Sequence, residues 1–306
     1  MEDRKQSLDI KIMTLPSNLY NNETYLRWRE EKLASYPANI EDLTVTVEDP
    51  NAPTGQEIEA LIDNCRKANM SIYLGPEQIV EDKSIPINLG TSLGLKQVDG
   101  SLTTEEDGVS ELAVADNGEK STYIPYTDKS LGWHTDGCYN DADHLVHGFL
   151  LHCVRAAPEG GENFLLDPEI AYILLRDEDP NLIDGLMLPN ALTIPANIEN
   201  GKVIRNEQIG PALSINPKSN ALHLRYTGRK TYVTWLDDSR VTGALEFLQQ
   251  ILNSDINYIF RLKLKPGSGL VGNNVLHGRT KFVDGEGQDS KRLIYRIYYR
   301  DRIANT

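Results

Sequence analysis

Only six histidines occur in the chain, at positions 134, 144, 147, 152, 223 and 277, so metal or proton-transfer chemistry has few candidates. The most informative is His134 in Gly132-Trp133-His134-Thr135-Asp136-Gly137. Residues two apart on a strand project to one side, so an imidazole and a carboxylate at this spacing can both reach one ion. His277, in Asn273-Asn274-Val275-Leu276-His277-Gly278-Arg279, lies 143 residues downstream and offers a third ligand. Two histidines and one carboxylate form a facial set that binds ferrous iron and leaves three positions open, as O₂ chemistry requires. The pair alone is ordinary. With acids at 45 of 306 positions, six histidines give about 0.9 His-x-Asp/Glu pairs by chance, and one is present. Its weight comes from order and context: a β-rich stretch, a late histidine after a Gly/Asn turn, and then a run of arginines.

Those arginines sit on the segment 292–300, which alternates strictly. Leu293, Tyr295, Ile297 and Tyr299 face one way, while Arg292, Arg296 and Arg300 face the other and call for an anionic partner. From Tyr123 onward, short apolar or alternating runs are broken by Gly, Pro, Asn and Asp, the pattern of many short strands closing a sandwich or barrel. Two helices interrupt it. One begins at Asp167-Pro168, an N-cap followed by proline at the first helical position, and the other carries Val241, Leu245, Leu248 and Leu252 on one face. The N-terminal third reads as α+β, with a helix over 23–36, a strand over 43–47, and a helix after the capping-box spacing Thr54-Gly55-Gln56-Glu57. Between Gly75 and Glu119 the chain is loop-rich, with the acidic run Glu105-Glu106-Asp107, where a lid or insertion fits.

Composition bounds the partners. A formal charge of −14 and a pI near 4.9 repel phosphate backbones and anionic lipid, so neither nucleic acid nor membrane is expected. Three cysteines with no C-x-x-C spacing argue against a disulfide framework and against structural zinc. The first 30 residues hold no apolar leader and no run approaches a membrane span, so a cytoplasmic protein is expected. The sequence leaves a homo-oligomer open.

The region over residues 120–302 resembles the iron(II)- and 2-oxoglutarate-dependent dioxygenases of the taurine dioxygenase and γ-butyrobetaine hydroxylase superfamily; the N-terminal third resembles them only loosely. The likeness is carried by His134-Thr135-Asp136-Gly137, the turn Ala156-Ala157-Pro158-Glu159-Gly160-Gly161-Glu162-Asn163, the segment Asn274-x-x-His277-Gly278-Arg279, and Lys291-Arg292-Leu293-Ile294-Tyr295-Arg296. It implies a mainly β fold with flanking helices: a double-stranded β-helix (jelly-roll, cupin-like) core over 120–306, with residues 1–119 as α+β decoration and lid of the same catalytic unit. It implies Fe(II) at His134, Asp136 and His277, and 2-oxoglutarate and O₂ as cosubstrates. Arg292, 15 residues after His277, would grip the far carboxylate of 2-oxoglutarate, with Arg296 on the same face. Many relatives carry threonine where this chain has Asn163, whose amide can still donate to the cosubstrate.

The activity implied is hydroxylation of a small polar or zwitterionic acid with release of succinate and CO₂. Two alternatives stand beside it: a metal-binding jelly-roll without turnover, such as a sensor or cupin-like isomerase, and the same oxidising chemistry used for desaturation or cyclisation. Substrate contacts are expected from Trp133, Tyr139, Arg225 and Arg296, with Arg229 weighed beside Arg225 in His223-Leu224-Arg225-Tyr226-Thr227-Gly228-Arg229-Lys230. His144, His147 and His152 read as strand residues rather than ligands, and Cys138 as a small buried thiol.

Overall fold

A computed structural model describes residues 21–100, 105–199, 201–216, 219–229 and 233–306. The residue Lys230 of the arginine-tyrosine segment lies outside them. Two sheets face each other. The larger has six strands in the order Thr44–Thr46, Met70–Leu74, Ser268–Gly272, Gly148–Arg155, Leu293–Tyr299 and Ser110–Leu112. The smaller has four, in the order Phe260–Leu262, Asn163–Leu166, Leu276–Arg279 and Leu131–His134. Apart from the first two strands of the larger sheet, which run parallel, neighbours in both sheets are antiparallel. This is the double-stranded β-helix that the sequence predicts. The N-terminal third, expected to decorate the core, also supplies three strands of the larger sheet.

Strand alternation sorts the side chains into layers. Phe149, Leu151 and Ile294 from the larger sheet meet Leu165 and Phe260 from the smaller one in the interior of the sandwich. Their neighbours Leu150, Val154, Leu293 and Ile297 point outward and are covered by the helices Gly55–Ala68 and Ser84–Ser92. Leu166 and Leu276 on the outer face of the smaller sheet pack under the helices Pro168–Glu178 and Ser239–Leu252. Both helix starts read from the sequence form as predicted. Thr54 accepts the Glu57 N–H at 3.3 Å while the Glu57 carboxylate accepts the Thr54 N–H at 2.6 Å, and Asp167 accepts the Glu169 N–H at 2.8 Å. The Asp167 carboxylate also lies 2.7 Å from the buried Lys32 ammonium, which ties the helix Asn22–Ser35 to the helical layer. Among the described residues no helix is long and apolar enough to cross a membrane.

The Gly-Gly turn is required by a close approach. Gly160 and Gly161 have φ of 69° and 73°, and a Cβ on Gly160 would lie 2.2 Å from the Lys281 carbonyl. The two-residue strand Glu159–Gly160 pairs there with Phe282–Val283, which brings the motif beside the arginines that follow His277.

Candidate metal centre

The strand Leu131–His134 ends at His134, whose cross-strand partner on Leu276–Arg279 is His277. Register alone therefore sets the two imidazoles side by side, their ring centroids 4.3 Å apart. Asp136 is not on that strand. The chain turns at Thr135–Gly137, and Gly137, at φ 64°, needs glycine because a Cβ would lie 2.4 Å from a Val146 methyl. The expectation that shared strand parity aims His134 and Asp136 is thus corrected: a turn brings the carboxylate back over the strand end.

The turn is clamped from two sides. Tyr226 accepts the Thr135 N–H at 2.9 Å and donates its own N–H to Thr135 Oγ1 at 3.0 Å. Asn274, in the left-handed region at φ 52°, accepts the Asp136 N–H at 2.7 Å and donates to the Asp136 and Val146 carbonyls at 2.9 and 2.6 Å. One side-chain amide thereby fixes the backbone of the carboxylate and precedes His277 by three residues.

Each imidazole is oriented by a backbone carbonyl. His134 Nδ1 lies 2.9 Å from the Gly132 carbonyl and His277 Nδ1 lies 2.9 Å from the Val275 carbonyl. A carbonyl only accepts, so both Nδ1 atoms carry the proton and both Nε2 lone pairs are free. They point at Asp136: His134 Nε2 is 3.6 Å from Oδ1 and His277 Nε2 is 3.5 Å from Oδ2. Tyr298, from the larger sheet, donates its hydroxyl to Asp136 Oδ1 at 2.5 Å, whereas Oδ2 is buried without a hydrogen-bond partner. A carboxylate with one unpartnered oxygen, set between two imidazole Nε2 atoms whose Nδ1 atoms are held by carbonyls, suits a divalent cation. Among the described residues these three are the one group of histidine, cysteine or acidic side chains whose ligand atoms can converge on an ion. Phe149 stacks on His277 at 5.0 Å and 19°, and burial pushes that imidazole down to about 4, so it is neutral at pH 7. Burial alone would raise the Asp136 carboxyl, but the neighbouring imidazoles and the Arg296 guanidinium hold it well below the usual carboxylate range.

The three residues form one wall of a cleft that is open to solvent. Arg279, Arg292, Arg296 and Asn163 also line it, roofed by Leu112 and Pro125. None of these arginines makes an ion pair among the described residues, and Asp136 is the cleft's one acid. The arginines do different things. Arg279 is spent on structure, donating to the carbonyls of Thr127, Lys129 and Thr280. Arg292 stacks over Phe282 at 5.1 Å opposite an open corner that it shares with Asn163 and Gly161, and neither the guanidinium nor the Asn163 amide hydrogen-bonds to another described group. Arg296 lies over the Tyr298 ring at 4.2 Å with its Nε buried and unpartnered. Arg300 is exposed beyond the strand end.

Other sequence candidates fall elsewhere. Trp133, next to His134 on the strand, points to the opposite face, where its indole donates to the Leu252 carbonyl at 3.0 Å and packs on Phe164. That placement takes it away from the cleft. Arg225 is buried with its fork on the carbonyls of Cys138 and Asn140, so it supports the ligand turn from behind. Tyr139 is half-buried three residues beyond Asp136, and Cys138 is a buried thiol. His152 alone of the three clustered histidines is on a strand; His144 ends a short 3₁₀ turn beside Asp141 and His147 lies in the loop before Gly148. Sequence reasoning missed Tyr298, although alternation from Arg292 and Arg296 puts it on their face.

Comparison with known proteins adds to this geometry. Residues 87–298 match the family described as "Taurine catabolism dioxygenase TauD, TfdA family". A curated relative from Amycolatopsis sp, named uridine-5'-phosphate dioxygenase, is 31% identical over 175 residues. The match covers 55% of this chain and 60% of that protein, so the chain spans less than two thirds of the relative's length. Among solved structures, asparagine oxygenase in complex with Fe(II), 2S,3S-3-hydroxyasparagine and succinate superposes with a TM-score of 0.56 at 15% identity, over 84% of this chain and 93% of that one. The non-heme iron oxygenase OrfP in complex with Fe, succinate and (3S)-hydroxy-L-Arg gives 0.58 at 14% identity, over 81% of each chain. At such identities the likeness is one of fold.

Proposed function

The chain belongs to the TauD/TfdA dioxygenase family, and from that premise we propose that it is an Fe(II)- and 2-oxoglutarate-dependent oxygenase that hydroxylates a small, polar, anionic substrate. The observation that carries the reading is the convergence of His134, Asp136 and His277, with the unpartnered Asp136 Oδ2 3.5 Å from His277 Nε2 and His134 Nε2 3.6 Å from Oδ1, inside a cleft whose other charges are all cationic. Three protein ligands leave room for a chelating cosubstrate and O₂. With iron bound, oxidative decarboxylation of 2-oxoglutarate would supply the two-electron oxidant, with succinate and CO₂ as coproducts.

The chain's own residues set the conditions. His134, Asp136 and His277 would hold the ion; the Gly132 and Val275 carbonyls keep both Nδ1 protons in place, so Nε2 is always the ligand atom. Tyr298 occupies Asp136 Oδ1 and leaves Oδ2 as the free donor. Arg292 and Asn163 would bind the far carboxylate of 2-oxoglutarate, a bidentate fork and an amide donor on one corner. Burial lowers the Arg292 guanidinium to about 10, which leaves it charged at neutral pH. Arg296, four residues or about 13 Å further along the strand, is too distant to share that carboxylate comfortably and would meet an anionic group of the substrate. Leu112, Leu151 and Ile294 exclude water from the cleft wall.

Uridine 5'-phosphate, the substrate in the curated relative's name, is itself a small anion and is one candidate. The test is a panel of small acids, each with its neutral counterpart, scored by succinate formed above the uncoupled background. Stimulation by an acid and not by its amide or dephosphorylated form supports the reading. Equal stimulation by both sinks the anion anchor, and no 2-oxoglutarate consumption with any member sinks the oxygenase.

A further inference from the structure

The corner that Arg292 shares with Asn163 and Gly161 holds a second cation, Lys263. Arg292, Asn163 and Ile294 line both this corner and the metal cleft, whereas Lys263 lines the corner alone. The corner therefore adjoins the cleft at the Arg292 guanidinium, and Lys263 stands away from the metal ligands. No acid lines it, and the small side chains of Ala156 and Ala157 leave room in it.

Strand register puts Lys263 there. Phe260–Leu262 pairs antiparallel with Asn163–Leu166 so that Leu262 lies opposite Asn163, and the next residue, Lys263, emerges beside the Gly-Gly turn. Its ammonium donates to the carbonyl of Pro158, within that turn, at 3.1 Å. An ammonium has three N–H donors, so two remain, and Lys263 makes no ion pair among the described residues although the chain has 45 acidic against 31 basic side chains. Its environment differs from that of its neighbour: Arg292 is buried, while Lys263 is exposed at the rim. One fixed guanidinium inside and one ammonium on a flexible stem outside, with an amide between them and no acid, make an anion site with two cations.

We propose that Lys263 is a second anchor for the far carboxylate of 2-oxoglutarate, on the solvent side of the Arg292 fork, and that it sharpens the corner's preference for dicarboxylic over monocarboxylic 2-oxo acids. The inference deepens the oxygenase reading and rests on it for the identity of the anion. A carboxylate has about four lone-pair directions; a guanidinium fork takes two and the Asn163 amide one, which leaves one for an ammonium arriving from outside. A point charge on a flexible stem can meet that last direction without a fixed plane of approach. Because Lys263 is exposed, its contribution is smaller than that of Arg292 and falls with salt.

The test is anaerobic calorimetry of the Fe(II)-loaded protein, titrated with 2-oxoglutarate and with 2-oxopentanoate, which has the same chain length and no far carboxylate. Lys263→Met weakens 2-oxoglutarate binding by about three- to fivefold at low salt, Lys263→Glu weakens it further, and Lys263→Arg stays near wild type. The differences shrink in high salt, and the affinity for 2-oxopentanoate is the same in all four proteins. Fe(II) titrations that match wild type show that the fold is intact. Affinity for 2-oxoglutarate that is equal in wild type, Lys263→Met and Lys263→Glu at low salt overturns the anchor, as does an equal loss for both oxo acids. Failure of iron-loaded wild type to bind 2-oxoglutarate would instead remove the oxygenase reading. Glutarate titrated into the metal-free protein then judges the corner alone: weaker binding by Lys263→Glu than by wild type supports the anchor, and equal binding or none overturns it.

Discussion

Replacing Tyr298 by phenylalanine removes one hydroxyl and keeps the ring. The ring matters independently, because Arg296 lies over it at 4.2 Å and the residue packs in the sandwich interior. What is lost is the 2.5 Å hydrogen bond to Asp136 Oδ1, a bond between a neutral donor and a buried carboxylate. Such charge-assisted bonds are about twice as strong as neutral ones. Partners that orient a metal ligand are typically worth 10–100-fold in metal affinity, or about 1.4–2.8 kcal/mol. The direction follows from geometry. With Oδ1 held by Tyr298, the carboxylate presents its unpartnered Oδ2 toward His277 Nε2; without it the group can rotate and the three-ligand set loses its pre-organisation. The assay is anaerobic calorimetric titration of Fe(II), with Mn(II) as an air-stable check, on wild type and Tyr298→Phe. The expected outcome is affinity lower by 10–100-fold with an unfolding midpoint near that of wild type. Affinity within twofold of wild type would refute the reasoning and make the hydroxyl a packing feature.

Alanine at His134, Asp136 or His277 should abolish tight iron binding, whereas alanine at His144, His147 or His223 should not; metal content after anaerobic loading and desalting decides it, and full occupancy in His277→Ala would contradict the assignment. Arg292→Leu should raise the 2-oxoglutarate requirement steeply, by about 2–5 kcal/mol of binding, while iron stays bound, since it removes the charged half of the Arg292–Asn163 corner. A pH effect on stability follows from the buried histidines away from the metal. Burial lowers His152 to about 4 and His223 to about 3, so below pH 6.5 the unfolded chain binds protons that the folded one refuses, and stability present above that pH is lost as pH falls toward 4. The contribution of His152 is about 3 kcal/mol, and His152→Gln should flatten that limb of a urea-midpoint profile; an unchanged slope would show that His152 does not drive it.

Much of this site is legible in the sequence because strand geometry is periodic. The arginine face of the last strand follows from parity, and parity extended by two residues reaches Tyr298. The same rule places Trp133 opposite His134, which is why its expected substrate contact fails: the neighbour of a cleft-facing strand residue belongs to the other face. Turns are harder. Asp136 reaches the metal position through Gly137 in the left-handed region and through Asn274, whose clamp on the Asp136 backbone spans 138 residues of sequence. The spacing of His134 and Asp136 thus picks out two residues that the fold brings together with His277, while the physical cause lies in long-range hydrogen bonds that no local pattern encodes. Arg225 is misread for a related reason, since a lone arginine near an active-site motif looks like a ligand contact until its fork is found on the Cys138 and Asn140 carbonyls. The interleaving of Thr44–Thr46, Met70–Leu74 and Ser110–Leu112 into the larger sheet is equally non-local. The helices, by contrast, declare their starts through Thr54 and Asp167, whose caps are satisfied within three residues.

The central claim is that His134, Asp136 and His277 hold an iron ion to which 2-oxoglutarate binds and on which O₂ is consumed. The most direct measurement loads the protein with one equivalent of Fe(II) without oxygen, titrates 2-oxoglutarate by calorimetry, and then admits O₂ while succinate is quantified. Saturable binding of one 2-oxoglutarate per iron, followed by iron-dependent succinate formation that Asp136→Ala abolishes, is the predicted result. No iron-dependent 2-oxoglutarate binding by wild type, or succinate formed equally well by Asp136→Ala, would contradict it.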